Sequence, residues 1–137
     1  MRERDAGVRL LALGGEMMPD HPGSVLALTD AFVAKNRAAA ATLVALTVRA
    51  TELLRTDPKR AAVHLQRGLG KGLVPIEIYE KALVSPACKF VADPGRIRQA
   101  TAVMQAFQLK LGVLEKPVDL DAMFDDSFFR AAPFSDR

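Results

Sequence analysis

The side chains best suited to binding chemistry stand around one short irregular segment near the N-terminus. Met18–Gly23 holds two prolines and a glycine within six residues, which excludes a helix or a central strand. Loops held between rigid elements are where binding groups concentrate. We therefore predict ligand contacts from Glu16, His21, Gly23 and Ser24. The alternative is that the prolines merely shape a turn and that His21 points to solvent.

The remaining candidates for catalysis or metal binding do not form a recognisable set. Two histidines and one cysteine are too few and too scattered for a metal site of standard spacing. His64 falls within a predicted helix and is interpreted as an ordinary helical residue, and Cys88 alone excludes an internal disulfide. No GxSxG nucleophile motif is present. The sequence therefore predicts a protein that is not an enzyme and needs no cofactor.

Two further patterns resemble ligand loops only superficially. Gly68, Gly70 and Gly72 lack the preceding strand of a phosphate loop, and Lys71 is followed by glycine instead of Ser or Thr. They are interpreted as the end of a helix and a flexible connection. The acidic tail lacks the alternating pattern of a calcium loop, so its carboxylates are interpreted as helix caps and surface charge. These are Asp119, Asp121, Asp125 and Asp126.

Composition bounds the class of protein. A chain of 137 residues, half of them hydrophobic, is long enough for one compact domain and too short for two ordinary ones. Charged residues make up 26% and are interspersed, with a net charge of +3, so no basic stripe indicates nucleic-acid binding. The apolar run Val8–Leu13 is short and contains Arg9, and it resembles neither a signal peptide nor a membrane span.

The elements that must position the candidate loop are two predicted strands. Val8–Leu13 ends in two glycines, and Ser24–Thr29 is an apolar run between the loop and Asp30. Asp30 is predicted to cap a short helix with the sequence DAFVAKN. Residues 1–29 are therefore predicted to form a strand-loop-strand segment.

Residues 30–137 are predicted to be helical and to form one compact unit with residues 1–29. Apolar residues recur at helical spacing from Arg37 onward, and Asp-Pro pairs mark two helix starts, because Asp is favoured at the N-cap and Pro at the first helical position. The predicted helices run from Arg37 to the residues before Pro58, from Pro58 to Gly68, through IEIYEKAL at 76–83, from Pro94 to Gly112, and over one or two turns within Asp119–Ala131.

Four pieces in succession carry a resemblance to a known family. They are GEMMPDHPGSVLALTDAFVAKN, RATELLRTDPKRAA, KFVADPGRIRQATAVMQAFQLKLGVL and KPVDLDAMFDDSFF. In order and spacing they resemble the C-terminal region of ABC-transporter substrate-binding proteins that serve nitrate, sulfonates, taurine and thiamine-pyrimidine precursors. The resemblance covers about Val8 to Phe129.

The resemblance implies a fold class and a role. It implies the C-terminal part of a periplasmic-binding-protein type II α/β fold: mostly α, with two short strands and about five helices. Such proteins close two lobes on a small solute by hinge bending and deliver it to an ABC permease. The resemblance implies that the strand-loop-strand segment of residues 1–29 is the hinge segment. Family members are more than twice as long, so the chain is expected to be part of the solute-binding component and unable to bind solute alone.

The sequence leaves one alternative role open. The same architecture could serve as a stand-alone helical interaction or regulatory module, in which case the lack of a signal peptide predicts a cytoplasmic protein. The parent family is periplasmic or extracytoplasmic. For both roles, exposed strand edges and apolar helix faces predict that the isolated chain self-associates.

Overall fold

A computed structural model describes residues 11–21, 23–70, 72 and 74–133. Helix accounts for 62% of the described residues. The α-helices are α1 (Gly14–Met17), α2 (Asp30–Lys35), α3 (Arg37–Thr56), α4 (Pro58–Leu69), α5 (Ile76–Leu83), α6 (Arg98–Lys110), α7 (Leu120–Met123) and α8 (Ser127–Arg130), with a 3-10 turn (Pro94–Ile97) directly before α6.

Side-chain caps fix where several of these helices begin. Asp57 accepts a hydrogen bond from the backbone N–H of Arg60 at 3.0 Å at the start of α4, and Asp93 accepts one from Gly95 at 2.8 Å at the 3-10 turn. Both Asp-Pro helix starts are confirmed. The predicted cap at Asp30 is wrong, because the hydroxyl of Thr29 accepts the N–H of Phe32 at 3.2 Å.

The core lies between α4 and α5. Ala61, Ala62 and Leu83 are buried there. Partly buried residues of α3, α4, α5 and the segment after α5 pack against them: Leu53, Leu54, Leu65, Ile76, Tyr79 and Phe90. The longest helix, α3, packs against α2, α4 and α8, so it links the core to the two ends of the described chain.

The prediction of two strands in an α/β fold is wrong for the described residues, none of which lies in a strand. Ser24–Thr29 is irregular, and no backbone hydrogen bond joins Ser24–Leu28 to another described residue. A strand needs a neighbour to pair with its N–H and C=O groups, and no other described residue supplies that pairing here. Of the other predicted strand, residues 8–10 lie outside the described residues, and Leu11–Leu13 have no strand structure.

Little of the apolar content is buried. Of the seven buried hydrophobic residues in the described chain, five are alanines, which remove little surface from water. Among the described residues, fifteen large hydrophobic side chains are exposed, including Val103, Phe107 and Leu111 at four-residue steps on and directly after α6. The described helices thus leave a substantial apolar surface uncovered.

Candidate functional site

Glu16, the first residue of the predicted site, is engaged within its own helix. It lies in α1 and is exposed. Its carboxylate Oε2 accepts the backbone N–H of Leu13 at 3.2 Å, and its own N–H donates to the Leu13 carbonyl at 3.0 Å. This reciprocal pair stabilises the start of a one-turn helix, where an acidic residue also favours the helix dipole.

The other three predicted residues face solvent. His21, Gly23 and Ser24 are all exposed, and the backbone N–H of His21 donates to the Met18 carbonyl at 3.3 Å. A side chain added at Gly23 would meet nothing within 4 Å. The structure does not bring these three residues together with Glu16 around a common cavity, and their role as ligand contacts stays a prediction.

The neighbouring Asp20 does reach a concave surface. It has a positive φ of 59°, an uncommon conformation that Asp tolerates better than most residues. It lines a hollow of about 440 Å³ together with residues of α3, α4, α5 and the 88–96 segment. The other lining residues are Leu54, Arg55, Pro58, Leu83, Val84, Cys88, Lys89, Phe90, Val91 and Arg96. We call this the basic hollow.

A second hollow of about 280 Å³ adjoins it and shares Arg55, Phe90, Val91 and Arg96. It extends between α3 and α8, where Val48, Thr51, Glu52 and Phe129 line it. The two hollows therefore meet along the 90–91 segment, with the same two arginines lining both.

The basic hollow carries more positive than negative charge. Arg55, Lys89 and Arg96 line it, and Asp20 is its one acidic lining residue in the described part of the chain. Lys89 Nζ is 3.9 Å from Asp20 Oδ1. Arg55 pairs with Glu52 outside the hollow at 3.7 Å. Both separations are long beside the 2.7–2.9 Å of a charge-assisted hydrogen bond, so these pairs hold their partners weakly.

The walls of the basic hollow rest on the core. Leu83 belongs to the buried cluster, and Leu54 and Phe90 pack against it. Arg55 directly follows Leu54 in the last turns of α3, and Asp93 fixes the turn that carries Arg96. The cationic residues are thus attached to elements held by packing or capping, although their own side chains reach water.

Sequence reasoning missed the basic hollow for a physical reason. Arg55 and Arg96 belong to different elements and approach only through the packing of α3 against the chain that follows α5. The pattern around each arginine indicates only a solvated helix surface. Arg98 differs, because it donates to Asp121 Oδ1 and to the Phe124 carbonyl and lies over the Phe124 ring, which ties α6 to α7.

The remaining sequence candidates are His64 and Cys88. His64 is exposed on α4, and Cys88 is an exposed free thiol at the basic hollow. The part of the chain that the structure describes contains no cluster of three or more His, Cys, Asp or Glu residues able to hold a metal ion. Among the described helices, none has the length and apolar character that crossing a bilayer requires.

Comparison with protein-family models, with curated proteins and with solved structures gives no match for this chain.

Proposed function

We propose that this chain is a helical part of the solute-binding component of an ABC importer for a small anion or a pyrimidine precursor. Its role there is to pack against the remainder of that component, and it does not enclose the solute by itself. The permease is then a partner of the assembled component. The residues involved are those of the succession from Val8 to Phe129 that resembles the family.

The observation that carries the proposal is the exposed apolar surface. Val103 is 51% exposed, Phe107 54% and Leu111 60%, on one stripe of an otherwise well-formed helix. Monomeric soluble proteins seldom leave contiguous apolar patches uncovered, and such patches are typical of surfaces that meet another polypeptide. A helical part of a larger protein has this character, because the rest of that protein covers it.

The open shape of the basic hollow agrees with a packing role. The basic hollow is lined mainly by exposed or half-buried side chains, and of its lining residues only Leu83 is buried. Solute sites normally surround most of a ligand's surface. A complete site for a transported solute therefore needs walls contributed by another part of the component.

A second role is favoured by the described residues, in which helices are present and strands are not. A stand-alone helical interaction or regulatory module would use the same apolar stripe to bind a separate protein. It would not depend on a solute or on a permease. The two roles differ in the length of the native polypeptide and in its compartment.

An antiserum raised against this chain separates the two roles in cells that express it. The proposal predicts an immunoreactive polypeptide more than twice the 14.8 kDa of this chain, recovered in the extracytoplasmic fraction and co-purifying with a membrane permease. A cytoplasmic polypeptide of 14.8 kDa would contradict the proposal and support the stand-alone module.

A further inference from the structure

We propose that the basic hollow binds a small organic anion that carries one anionic head group and a short apolar chain. This site lies apart from the predicted contacts at Glu16, His21, Gly23 and Ser24. It concerns the chain as it stands, and it does not depend on the proposed role in an importer.

The anionic head group is indicated by the balance of charge. Three cationic residues and one carboxylate line the hollow, and Arg96 makes no ion pair with any described residue. Guanidinium groups bind carboxylates and related oxyanions through two parallel hydrogen bonds, which gives both strength and orientation. An incoming carboxylate can therefore engage Arg96 without first breaking an existing ion pair.

The ion pairs that Lys89 and Arg55 already make are weak. Lys89 and Asp20 are separated by 3.9 Å, with side chains 62% and 50% exposed, and Arg55 and Glu52 are 3.7 Å apart. Exposed ion pairs contribute little to stability. Reorienting Arg55 or Lys89 toward a ligand therefore costs little.

The ends of the neighbouring helices do not overturn this charge balance. The negative end of α3 and the positive end of α4 meet at Asp57, so their dipoles oppose each other there. The negative end of α5 lies at Leu83, which lines the hollow, but its partial charge of about half a unit is smaller than the net positive charge of the lining side chains.

The apolar chain of the ligand is indicated by the walls. Leu83, Val84, Phe90 and Val91 line the same hollow as the cations, and Val84 and Val91 are 66% and 50% exposed. Covering these side chains with a hydrocarbon segment removes apolar surface from water. The hollow of about 440 Å³ has room for such a chain, and because most of its lining is exposed it covers only one side of the ligand, which is in keeping with weak binding. A short fatty-acid-like anion therefore fits both the charge and the walls better than an inorganic anion.

Titration of the full chain with hexanoate, followed by NMR of backbone amides, tests the site. We expect saturable shifts at Val91 and Arg96 with a dissociation constant on the order of 1 mM. Acetate and the neutral hexanamide are each expected to bind at least about tenfold more weakly, since one lacks the apolar chain and the other the charge. Hexanoate should also slow alkylation of Cys88, the single thiol of the chain.

Matched variants distinguish this site from general attraction to a basic protein. Arg96→Gln is expected to weaken hexanoate binding about tenfold, and Arg96→Lys to weaken it less. Arg49→Gln is the control, because Arg49 is exposed on the same helix as Arg55 and lies outside the hollow. It should change the affinity less than about twofold. Circular dichroism verifies that each variant keeps its helix content.

Three results would overturn the proposal. One is the absence of saturable shifts with hexanoate at the hollow, including the case in which only an acidic peptide binds there. Another is equal affinity for acetate and hexanoate. The third is a loss of affinity in Arg49→Gln as large as that in Arg96→Gln.

Discussion

Asp125 illustrates how single side chains organise the C-terminal end of the molecule. Its carboxylate Oδ1 accepts the backbone N–H of Ser127 at 2.9 Å, at the start of α8. The side-chain and backbone hydrogen bonds from Ser127, helped by the charges of Arg37 and Arg130, hold the pKa of Asp125 below its usual value of 3.8, although slight desolvation opposes this. Arg37 also lies 4.8 Å from the centre of the Phe128 ring, which joins α3 to α8.

The lowered pKa predicts an acid-sensitive contact. Because the folded-state pKa is depressed, the stabilisation is present above pH 3.8 and is lost as the pH falls through the lower folded-state value. Carboxyl ¹³C NMR should give Asp125 a titration midpoint below 3.8, and Ser127→Ala should move it upward. A midpoint at or above 3.8 in the unaltered chain would show that these hydrogen bonds do not form in solution.

Asp57 is the residue at which α3 ends and α4 begins. Its side chain accepts the Arg60 N–H at 3.0 Å, so Asp57→Ala leaves an unsatisfied donor at the helix start. We expect a loss of about 1 kcal/mol in the free energy of unfolding, measured by urea denaturation. Asp57→Asn keeps an acceptor and should lose less than half as much. Equal losses in the two variants would contradict the capping role.

Two adjacent apolar residues at the end of the helix α5 lie in different surroundings. Leu83 ends the helix and is 9% exposed in the α4–α5 core, whereas Val84 directly follows it and is 66% exposed. Leu83→Ala is expected to cost about 2–3 kcal/mol of stability, because it leaves a cavity beside Ala61 and Ala62. Val84→Ala should cost less than about 0.5 kcal/mol. Urea denaturation of both variants tests this packing, and similar costs would contradict it.

The helices of this chain could be predicted because their signals are local. The spans of α3 and α4 follow from apolar residues at helical spacing and from Asp57-Pro58, and the structure confirms both. The long predicted helix after Asp93 is divided, since the Pro94–Ile97 turn is 3-10 and α6 begins at Arg98. The predicted C-terminal turns appear as α7 and α8.

The errors arise where structure depends on distant partners. The apolar run Ser24–Thr29 has the composition of a strand, but a strand is stable only beside another, and the described chain offers it none. The basic hollow escaped prediction for a related reason, because packing alone brings Arg55 and Arg96 together. Periodicity in one sequence carries no information on such pairings.

In the molecule as a whole, a small core is accompanied by a large uncovered apolar surface. The buried residues are mostly alanines, while larger side chains such as Phe107 and Leu111 remain in water. In the proposed function another part of the solute-binding component covers this surface. When the chain is alone, a second copy of it offers a similar apolar surface for contact. The predicted self-association therefore rests on apolar helix faces and no longer on strand edges.

Substitutions on the α6 stripe test which surface is responsible. Phe107→Gln combined with Leu111→Gln removes the two most exposed members of Val103, Phe107 and Leu111. It should weaken self-association by at least about tenfold, because the apolar area buried between copies falls. Leu69→Gln is the control, since Leu69 is 59% exposed at the end of α4, on a different helix from the stripe.

Light scattering coupled to size-exclusion chromatography tests whether this surface is covered by another polypeptide. We expect an average mass above 14.8 kDa that rises with protein concentration, and a return toward 14.8 kDa in the double variant but not in Leu69→Gln. A constant mass of 14.8 kDa for the unaltered chain up to high concentration would contradict it.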